Sequence, residues 1–163
     1  MSQPPTASWL QSRISVVQVE EGVDFAPKFD QDGLLPVVAT DAASGEVLMM
    51  GVMNRDALLR SIETGEAHYW SRSRKAVWHK GATSGMVQTI VEMRIDDDQD
   101  ALWLAVSIRG LGASCHVGYR SCFYRAVPLR QAPNARLHLQ FREHAKLFNP
   151  AIVYAGLPNP THL

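Results

Sequence analysis

LLPVVAT (residues 34–40) and EVLMMGV (residues 46–52) are two apolar runs, the first rich in β-branched residues, that decide how this part of the chain folds. β-Branched side chains favour extended strands because they pack well on a pleated surface. The five residues between the runs, DAASG, have the Asp, Ser and Gly that tight turns prefer. The segment therefore predicts a β-hairpin.

A short helix is predicted directly after this hairpin. Asn54 precedes RDALLRSIET, in which Ala57, Leu58 and Ile62 fall on one face, and Gly65 follows the last turn. An Asn cap, an apolar stripe and a glycine stop together indicate a short amphipathic helix.

Further along the chain, most of the pattern is typical of strands. The strand-like segments are AHYWSRS (67–73), VQTIVEMRI (87–95) and ALWLAVSI (101–108). The tail contains a possible helix from Leu137 to Leu147, ending at Asn149-Pro150. Residues 1–23 show no clear period. These elements predict an α+β fold with a mixed or antiparallel sheet and few short helices.

The composition limits the classes of function. A chain of 163 residues with 46% hydrophobic residues is expected to form one compact domain. Sixteen basic and sixteen acidic residues cancel, so we expect neither a nucleic acid nor a membrane as partner. No segment has the length of a signal peptide or a membrane span, which predicts a cytoplasmic protein. Two cysteines do not indicate a disulfide framework.

The acidic residues are most concentrated between the last two strand-like segments, in the run DDDQD. Alternation along an extended chain would place Asp96, Asp98 and Asp100 on one side and Asp97 on the other. Three carboxylates on one side suit a hard divalent cation such as Mg²⁺. A solvated polar turn is the alternative interpretation.

A second cluster is GASCHVGYRSCFYR, residues 112–125, which contains both cysteines. Cys115 and Cys122 could offer soft ligands to zinc, or they could be buried structural thiols. His116, beside the first cysteine, has the side chain best suited to proton transfer near neutral pH, although a structural role is also compatible with a single histidine.

A third cluster, YWSRSRKAVWHKGATSG (residues 69–85), combines cations, hydroxyls and glycines. Such a segment could hold phosphate groups through Arg side chains and backbone N–H donors, with a Trp available to stack on a base. A solvated basic hairpin is the alternative. The candidate substrate-binding residues are Trp70, Ser71, Arg72, Ser73, Arg74, Lys75, His79, Lys80, Thr83 and Ser84.

Taken in this order, the three clusters resemble the phosphoribosyl-AMP cyclohydrolase family. The specific strings are WSRSR, WHKGATSG and SCFYR, together with FDQDGLLPVVATD and the DDDQD run. The resemblance covers about Lys28 to Arg125. It divides the chain into an N-terminal extension (1–27), a cyclohydrolase core (28–126) and a C-terminal extension (127–163).

The resemblance implies an intertwined homodimer with metal sites at the subunit interface. It implies that Asp96, Asp98 and Asp100 bind Mg²⁺, and that Cys115 and Cys122 bind zinc with a third ligand from the acidic run. That third position, a cysteine in the family, is Asp97 here. A carboxylate can also ligate zinc, so the site could take Zn²⁺ or another transition metal. Ala82 and Val117 replace the family's usual Glu and Thr.

The activity implied by the resemblance is hydrolysis of the N1–C6 bond of the adenine ring of 1-(5-phosphoribosyl)-AMP, in histidine biosynthesis. Water activated by the metal would attack C6, with His116 as the first candidate for proton transfer and His79 as the second. Three other hypotheses remain at this point. They are a paralogue with altered metal use, a related nucleotide cyclic-amidine hydrolase, and a non-enzymatic metal- or nucleotide-binding module.

Overall fold

The computed structural model describes residues 9–163. Its helices are α1 (Val16–Glu21), α2 (Arg55–Thr64) and α3 (Pro150–Val153). Its longer strands are β1 (Leu34–Asp41), β2 (Val47–Asn54), β5 (Gln88–Ile95) and β6 (Leu102–Ile108). The shorter strands are β3 (His68–Ser71), β4 (Ala76–His79), β7 (Arg125–Ala126) and β8 (Gln140–Phe141). The predicted α+β class with few short helices is confirmed.

The main sheet has four strands in the order β2-β1-β6-β5. β1 and β2 pair antiparallel, which confirms the predicted hairpin, and β5 and β6 also pair antiparallel. β1 and β6 are parallel, so the sheet is mixed. In the turn that joins β1 and β2, the Asp41 carboxylate accepts hydrogen bonds from the backbone N–H and the hydroxyl of Ser44.

The core lies on one face of this sheet, because alternate side chains of each strand point to that face. Its buried members include Leu35, Val37, Ala39, Leu48, Met53, Leu104 and Val106. On the opposite face, Met50, Val38 and Trp103 lie side by side across three strands. Met50 is 60% exposed and Trp103 is 38% exposed. Within the described chain this face is therefore uncovered at these apolar positions.

Helix α2 packs on the core and has the predicted ends. The side chain of Asn54 accepts a hydrogen bond from the Ala57 N–H, and Gly65 ends the helix in the left-handed conformation. The predicted buried face was partly wrong, because Ser61 is buried and Ile62 is exposed. The Ser61 hydroxyl binds the carbonyl of Ala57 and accepts the His68 N–H, so its burial leaves the polar group satisfied.

The predicted helix over residues 137–147 is wrong. This segment contains the short strand β8, which pairs with β7, and the short helix α3 begins only after Asn149. Asn149-Pro150 thus starts a helix instead of ending one, because Asn caps it and Pro occupies its first position. In this tail, pairing with β7 determines the backbone conformation of residues 140 and 141, although the local pattern is helical.

The N-terminal extension contains helix α1, which the sequence pattern did not predict. Its six residues, VVQVEE, are too few to show a helical period, and the Ser15 side chain caps it by accepting from the Gln18 N–H. The first eight residues of the predicted extension lie outside the described residues. No helix within residues 9–163 is long and apolar enough to span a bilayer.

A glycine fixes the turn that follows β4. Gly81 has φ +90, and a Cβ built on it would lie 2.3 Å from the backbone carbon of Met86. Because that neighbour is backbone, it cannot rotate away. The chain can approach the start of β5 this closely only without a side chain at position 81.

We therefore expect Gly81→Ala to lower the free energy of unfolding by on the order of 3 kcal/mol, combining left-handed strain with the overlap. Gly45→Ala is the matched control, since Gly45 also has a positive φ but no atom within 4 Å of an added Cβ. It should cost only about 1 kcal/mol. Urea denaturation of both variants measures the difference, and equal losses would contradict the steric argument.

Candidate active site

The two cysteines lie together in a loop between β6 and β7. In this cysteine loop (residues 114–122), the Cys115 and Cys122 thiols are close enough to shift each other's pKa, and neither is in a disulfide. Main-chain bonds close the loop, from Ser114 N–H to the Arg120 carbonyl at 2.8 Å and from Cys115 N–H to the Tyr119 carbonyl at 3.1 Å. The predicted zinc ligands are thus brought together, as two soft donors of a metal site require.

A buried polar network holds the start of the cysteine loop. The Tyr69 hydroxyl donates to Gln88 Oε1 at 2.7 Å, and Gln88 Nε2 donates to the Ser114 hydroxyl at 2.9 Å. Lys80 Nζ donates to the Ser114 carbonyl at 2.6 Å. Sequence reasoning missed Gln88 and Ser114, because a lone Gln in a strand and a lone Ser carry no motif.

The end of the cysteine loop is attached to strand β2. The Cys122 N–H donates to the Leu48 carbonyl at 2.7 Å, and the Ser121 hydroxyl donates to the Val47 carbonyl at 2.7 Å. Each cysteine therefore follows a residue that is fixed to the sheet, Ser114 for the first thiol and Ser121 for the second. The loop itself spans the distance between the two anchors.

Lys80 changes the electrostatics of the thiol pair. The neighbouring Cys122 thiol lowers the pKa of Cys115 to about 6, and the Lys80 charge contributes in the same direction. The neighbouring Cys115 thiol raises the pKa of Cys122. Burial lowers the pKa of Lys80, and the two sulfurs oppose that effect. The pair therefore shares one proton near neutral pH, a state prepared to give a thiolate to a metal.

His116, the first candidate for proton transfer, is half-buried beside this pair. Burial lowers the pKa of its imidazole, and the positive charge of Lys80 lowers it further, while the Asn159 side chain opposes the shift. Its Nε2 lies 3.5 Å from the Thr161 hydroxyl, so the end of the chain reaches this histidine. A neutral imidazole at pH 7 can accept a proton.

The run DDDQD forms a tight turn, the acidic turn (residues 96–100). Carboxylate oxygens of Asp96, Asp97 and Asp98 lie within 4.8 Å of one another. The expectation that Asp97 points away was wrong, because the chain turns here and strand alternation does not apply. A small loss of hydration and the charges of Asp98 and Asp96 raise the pKa of Asp100, which places its carboxyl beside theirs.

Gln99 anchors the acidic turn to the N-terminal extension. Its side chain is 5% exposed and accepts the Ala26 N–H while donating to the carbonyls of Val19 and Asp24. Its φ of 59 places it in the left-handed region that favours glycine. Arg13 donates to the Asp98 carbonyl at 2.9 Å. The sequence did not indicate either role, because Gln99 stands among acidic residues that offered the simpler metal interpretation and Arg13 lies in no motif.

The basic cluster is divided in the structure. Arg72, Ser73, Arg74 and Lys75 form the exposed turn of the β3–β4 hairpin, here called the basic turn (residues 72–75), with Ser71 at its start. Arg74 and Lys80 both lie over the Trp78 ring, at 5.8 and 5.4 Å from its centroid. Lys80 thus contacts the cysteine loop as well as the hairpin. The other predicted members, Trp70, Thr83 and Ser84, lie in β3 and in the loop after β4.

His79, the second candidate for proton transfer, is held by groups that the sequence did not indicate. Its Nε2 lies 2.8 Å from Glu66 Oε2 without hydrogen-bond geometry, and its ring stacks on His68 at 4.6 Å. The other Glu66 oxygen pairs with Arg109 at 2.8 Å. His79 is therefore engaged in a Glu-His-Arg cluster instead of lying with the basic turn.

The donor sets have the chemistry of the two metals that the sequence suggested, because carboxylates suit Mg²⁺ and two adjacent thiols suit zinc. The three close carboxylates are Asp96, Asp97 and Asp98, so Asp97 is in this group where Asp100 was predicted. Within residues 9–163, however, the acidic turn is the one group of three His, Cys, Asp or Glu donors within 4.8 Å. Asp97 and the cysteines therefore do not form a three-ligand site within one described chain.

The chain is similar to proteins of known name over most of its length. The model of the phosphoribosyl-AMP cyclohydrolase family matches residues 49–124. A protein of that name from Nitrobacter hamburgensis is 55% identical over 136 residues, covering 83% of this chain and 90% of the relative. Others from Nitrobacter winogradskyi and Brucella canis are 53% identical over 137 residues and 59% identical over 109. These alignments cover 84% and 67% of this chain, and 92% and 78% of the relatives.

The thiol pair makes a prediction for the metal-free protein. Ultraviolet thiolate absorbance should appear with a pKa of about 6 instead of the ordinary 9.0. Lys80→Met should move that titration upward, because the lysine charge stabilises the thiolate. Folding lowers the pKa of the Cys115 thiol, so the thiolate stabilises the folded protein above that lowered pKa. The free energy of unfolding should therefore rise between pH 6 and pH 9, and this stabilisation should disappear as the pH falls through 6. A single titration near 9 in the folded protein would contradict the assignment.

Proposed function

The chain belongs to the phosphoribosyl-AMP cyclohydrolase family, and we propose on that basis how its residues carry out the reaction. It hydrolyses the N1–C6 bond of the adenine ring of 1-(5-phosphoribosyl)-AMP, the cyclohydrolase step of histidine biosynthesis. The observation that carries the assignment is a pair of neighbouring thiols, Cys115 and Cys122, in a chain that is 55% identical to a phosphoribosyl-AMP cyclohydrolase over 83% of its length. A non-enzymatic binding module is therefore not retained as a hypothesis.

Cys115 and Cys122 are the proposed protein ligands of a zinc ion or another transition metal. A bound metal of this kind lowers the pKa of a water molecule toward neutrality and so supplies the nucleophile for C6. Lys80 favours the thiolate form of the pair, and the network from Tyr69 through Gln88 to Ser114 fixes where the first sulfur lies. The ligands are thus oriented before any metal binds.

Asp97 is the proposed third ligand, donated by a second copy of the chain. The cysteine pair has no third donor within 4.8 Å among residues 9–163, and the first eight residues, MSQPPTAS, contain no His, Cys, Asp or Glu. A site closed by two sulfurs alone is incomplete, since catalytic zinc sites use three protein ligands. A homodimer in which each acidic turn meets the partner's cysteine loop completes two equivalent sites.

The uncovered face of the sheet supports the same assembly. Met50, Val38 and Trp103 form an apolar row there, and Arg94 stacks on the Trp103 ring at 4.9 Å. Exposed contiguous apolar surface of this kind marks interaction sites in globular proteins. A second copy of the chain is the proposed occupant of this face.

The remaining groups bind the substrate and move its protons. The proposed Mg²⁺ ligands are Asp96, Asp98 and Asp100. The proposed phosphate contacts lie in the exposed basic turn and are Arg72, Arg74 and Lys75.

His116 is the proposed proton acceptor, because burial and the charge of Lys80 lower the pKa of its imidazole and so keep it neutral. We place His79 in a supporting role, since Glu66 and His68 already hold its ring.

One observation favours a second possibility, which is the same reaction with an altered metal preference. A site of two sulfurs and the Asp97 oxygen is harder than a site of three sulfurs, so Mn²⁺, Fe²⁺ or Co²⁺ should compete better with zinc. Both possibilities share the substrate and the ligands. They differ only in the metal that gives the highest rate.

Replacing Asp97 tests the function and the metal preference together. The purified wild-type protein should open the purine ring in an ultraviolet assay, and Cys122→Ser should abolish this activity. Asp97→Cys should bind zinc more tightly, by roughly tenfold or more, and respond less to Mn²⁺, because thiolates favour the softer ion. Asp97→Ala should lose most of the rate and much of the bound metal.

The measurements are metal content, chelator competition and the ring-opening rate with each metal. Near-normal metal content and turnover in Asp97→Ala would withdraw the third-ligand assignment. Absence of ring opening in the wild-type protein with every metal would contradict the proposed reaction itself.

A further inference from the structure

A segment near the end of the chain lies directly against the cysteine loop. This C-terminal strap (residues 140–148) lies outside the family match at residues 49–124. Its strand β8 pairs with β7, and the Leu147 N–H donates to the Gly118 carbonyl at 2.7 Å. An added Cβ at Gly118 would lie 2.5 Å from the Phe148 carbonyl oxygen, so the two segments are in close contact.

Glu143 is the polar centre of this contact. One of its carboxylate oxygens accepts the Arg120 N–H at 2.8 Å, and the other accepts the Ser121 N–H at 2.9 Å. These are the two backbone donors immediately before Cys122. Hydrogen bonds to a carboxylate are stronger than neutral ones, and two of them fix both the position and the orientation of the peptide.

The strap presents Glu143 from a rigid support. Tyr119 and Tyr124 stack at 4.0 Å, and the Phe141 ring lies 5.9 Å from Tyr124, so an aromatic cluster joins the strap to the cysteine loop. The Arg142 N–H donates to the Tyr124 carbonyl at 2.7 Å. Contacts therefore hold both Arg142 and Phe141, and they restrict the movement of the Glu143 carboxylate relative to the Arg120–Ser121 peptide.

Glu143 completes the attachment of Cys122. On one side the Cys122 N–H and the Ser121 hydroxyl are bonded to strand β2. On the other side Glu143 holds the peptide that leads into Ser121. The chain just before the second thiol is thus held between the sheet and the strap. A ligand held in this way meets a metal without further ordering of its backbone.

We propose that Glu143 is a positioning residue of the metal site, which acts through the Arg120–Ser121 peptide to hold the Cys122 thiol beside that of Cys115. The inference rests on the proposed zinc role of the cysteines. It assigns a function to the C-terminal extension, which supplies no proposed metal ligand of its own. The carboxylate has no direct contact with metal or substrate in this role.

The experiment compares zinc affinity, by chelator competition, in full-length wild-type protein and in Glu143→Ala, Glu143→Gln and Cys122→Ser. Glu143→Ala should weaken zinc binding by about 10- to 100-fold, the range for loss of groups that orient metal ligands. Glu143→Gln should fall between, since its amide keeps one acceptor oxygen where the carboxylate offers two to the Arg120 and Ser121 N–H groups. Glu63→Ala is the matched control, an exposed glutamate on α2 that should leave zinc affinity unchanged.

Thermal unfolding of the metal-free variants separates positioning from general stability. Wild-type zinc affinity in Glu143→Ala overturns the proposal whether or not the unfolding temperature falls. If Glu143→Ala does not fold, Glu143→Gln decides alone, and unchanged affinity in that variant overturns the proposal. Equal loss in Glu63→Ala also overturns it. Failure of wild-type protein to bind zinc, or unchanged binding in Cys122→Ser, would instead remove the proposed metal function.

Discussion

The close approach of two thiols seven residues apart in the chain, Cys115 and Cys122, depends on contacts that the rest of the fold supplies. Neither cysteine lies in a helix or strand, so local backbone geometry alone cannot fix the sulfur positions. The fold fixes them from outside the loop. Gln88 and Lys80 hold Ser114, strand β2 holds Ser121 and Cys122, and Glu143 holds the peptide between them.

Each of the two extensions contacts one of the two turns that contain candidate metal ligands. The N-terminal extension binds the acidic turn through the buried Gln99 side chain and through Arg13, whereas the C-terminal strap binds the cysteine loop through Glu143. Each turn that we propose as a source of metal ligands is therefore held by a segment from one end of the chain. Because Asp97 and the cysteines do not meet within the described chain, completion of the transition-metal site needs the second copy that we propose.

The sequence predicted the parts of the fold that local chemistry determines. The hairpin of β1 and β2, the Asn54 cap and the Gly65 stop each depend on a few neighbouring residues, and each is confirmed. Cys115 and Cys122 do lie near each other, but their role as metal ligands stays a prediction. Contacts between distant segments were not predictable in this way. The bonds Tyr69–Gln88, Gln88–Ser114 and Arg120–Glu143 join residues 19 to 26 positions apart, and no spacing rule relates these partners. The tail forms β8 instead of a helix for the same reason, and strand alternation failed at Asp97 because the chain turns there.

We propose that the transition-metal site is shared between subunits, with Cys115 and Cys122 from one subunit and Asp97 from the other. The most direct test is to unfold Cys122→Ser and Asp97→Ala proteins together, refold the mixture and measure ring opening. Mixed dimers would contain one site with both substitutions and one with neither. Equal mixing should therefore restore about a quarter of wild-type activity. A refolded mixture no more active than the two variants refolded separately would contradict the shared site.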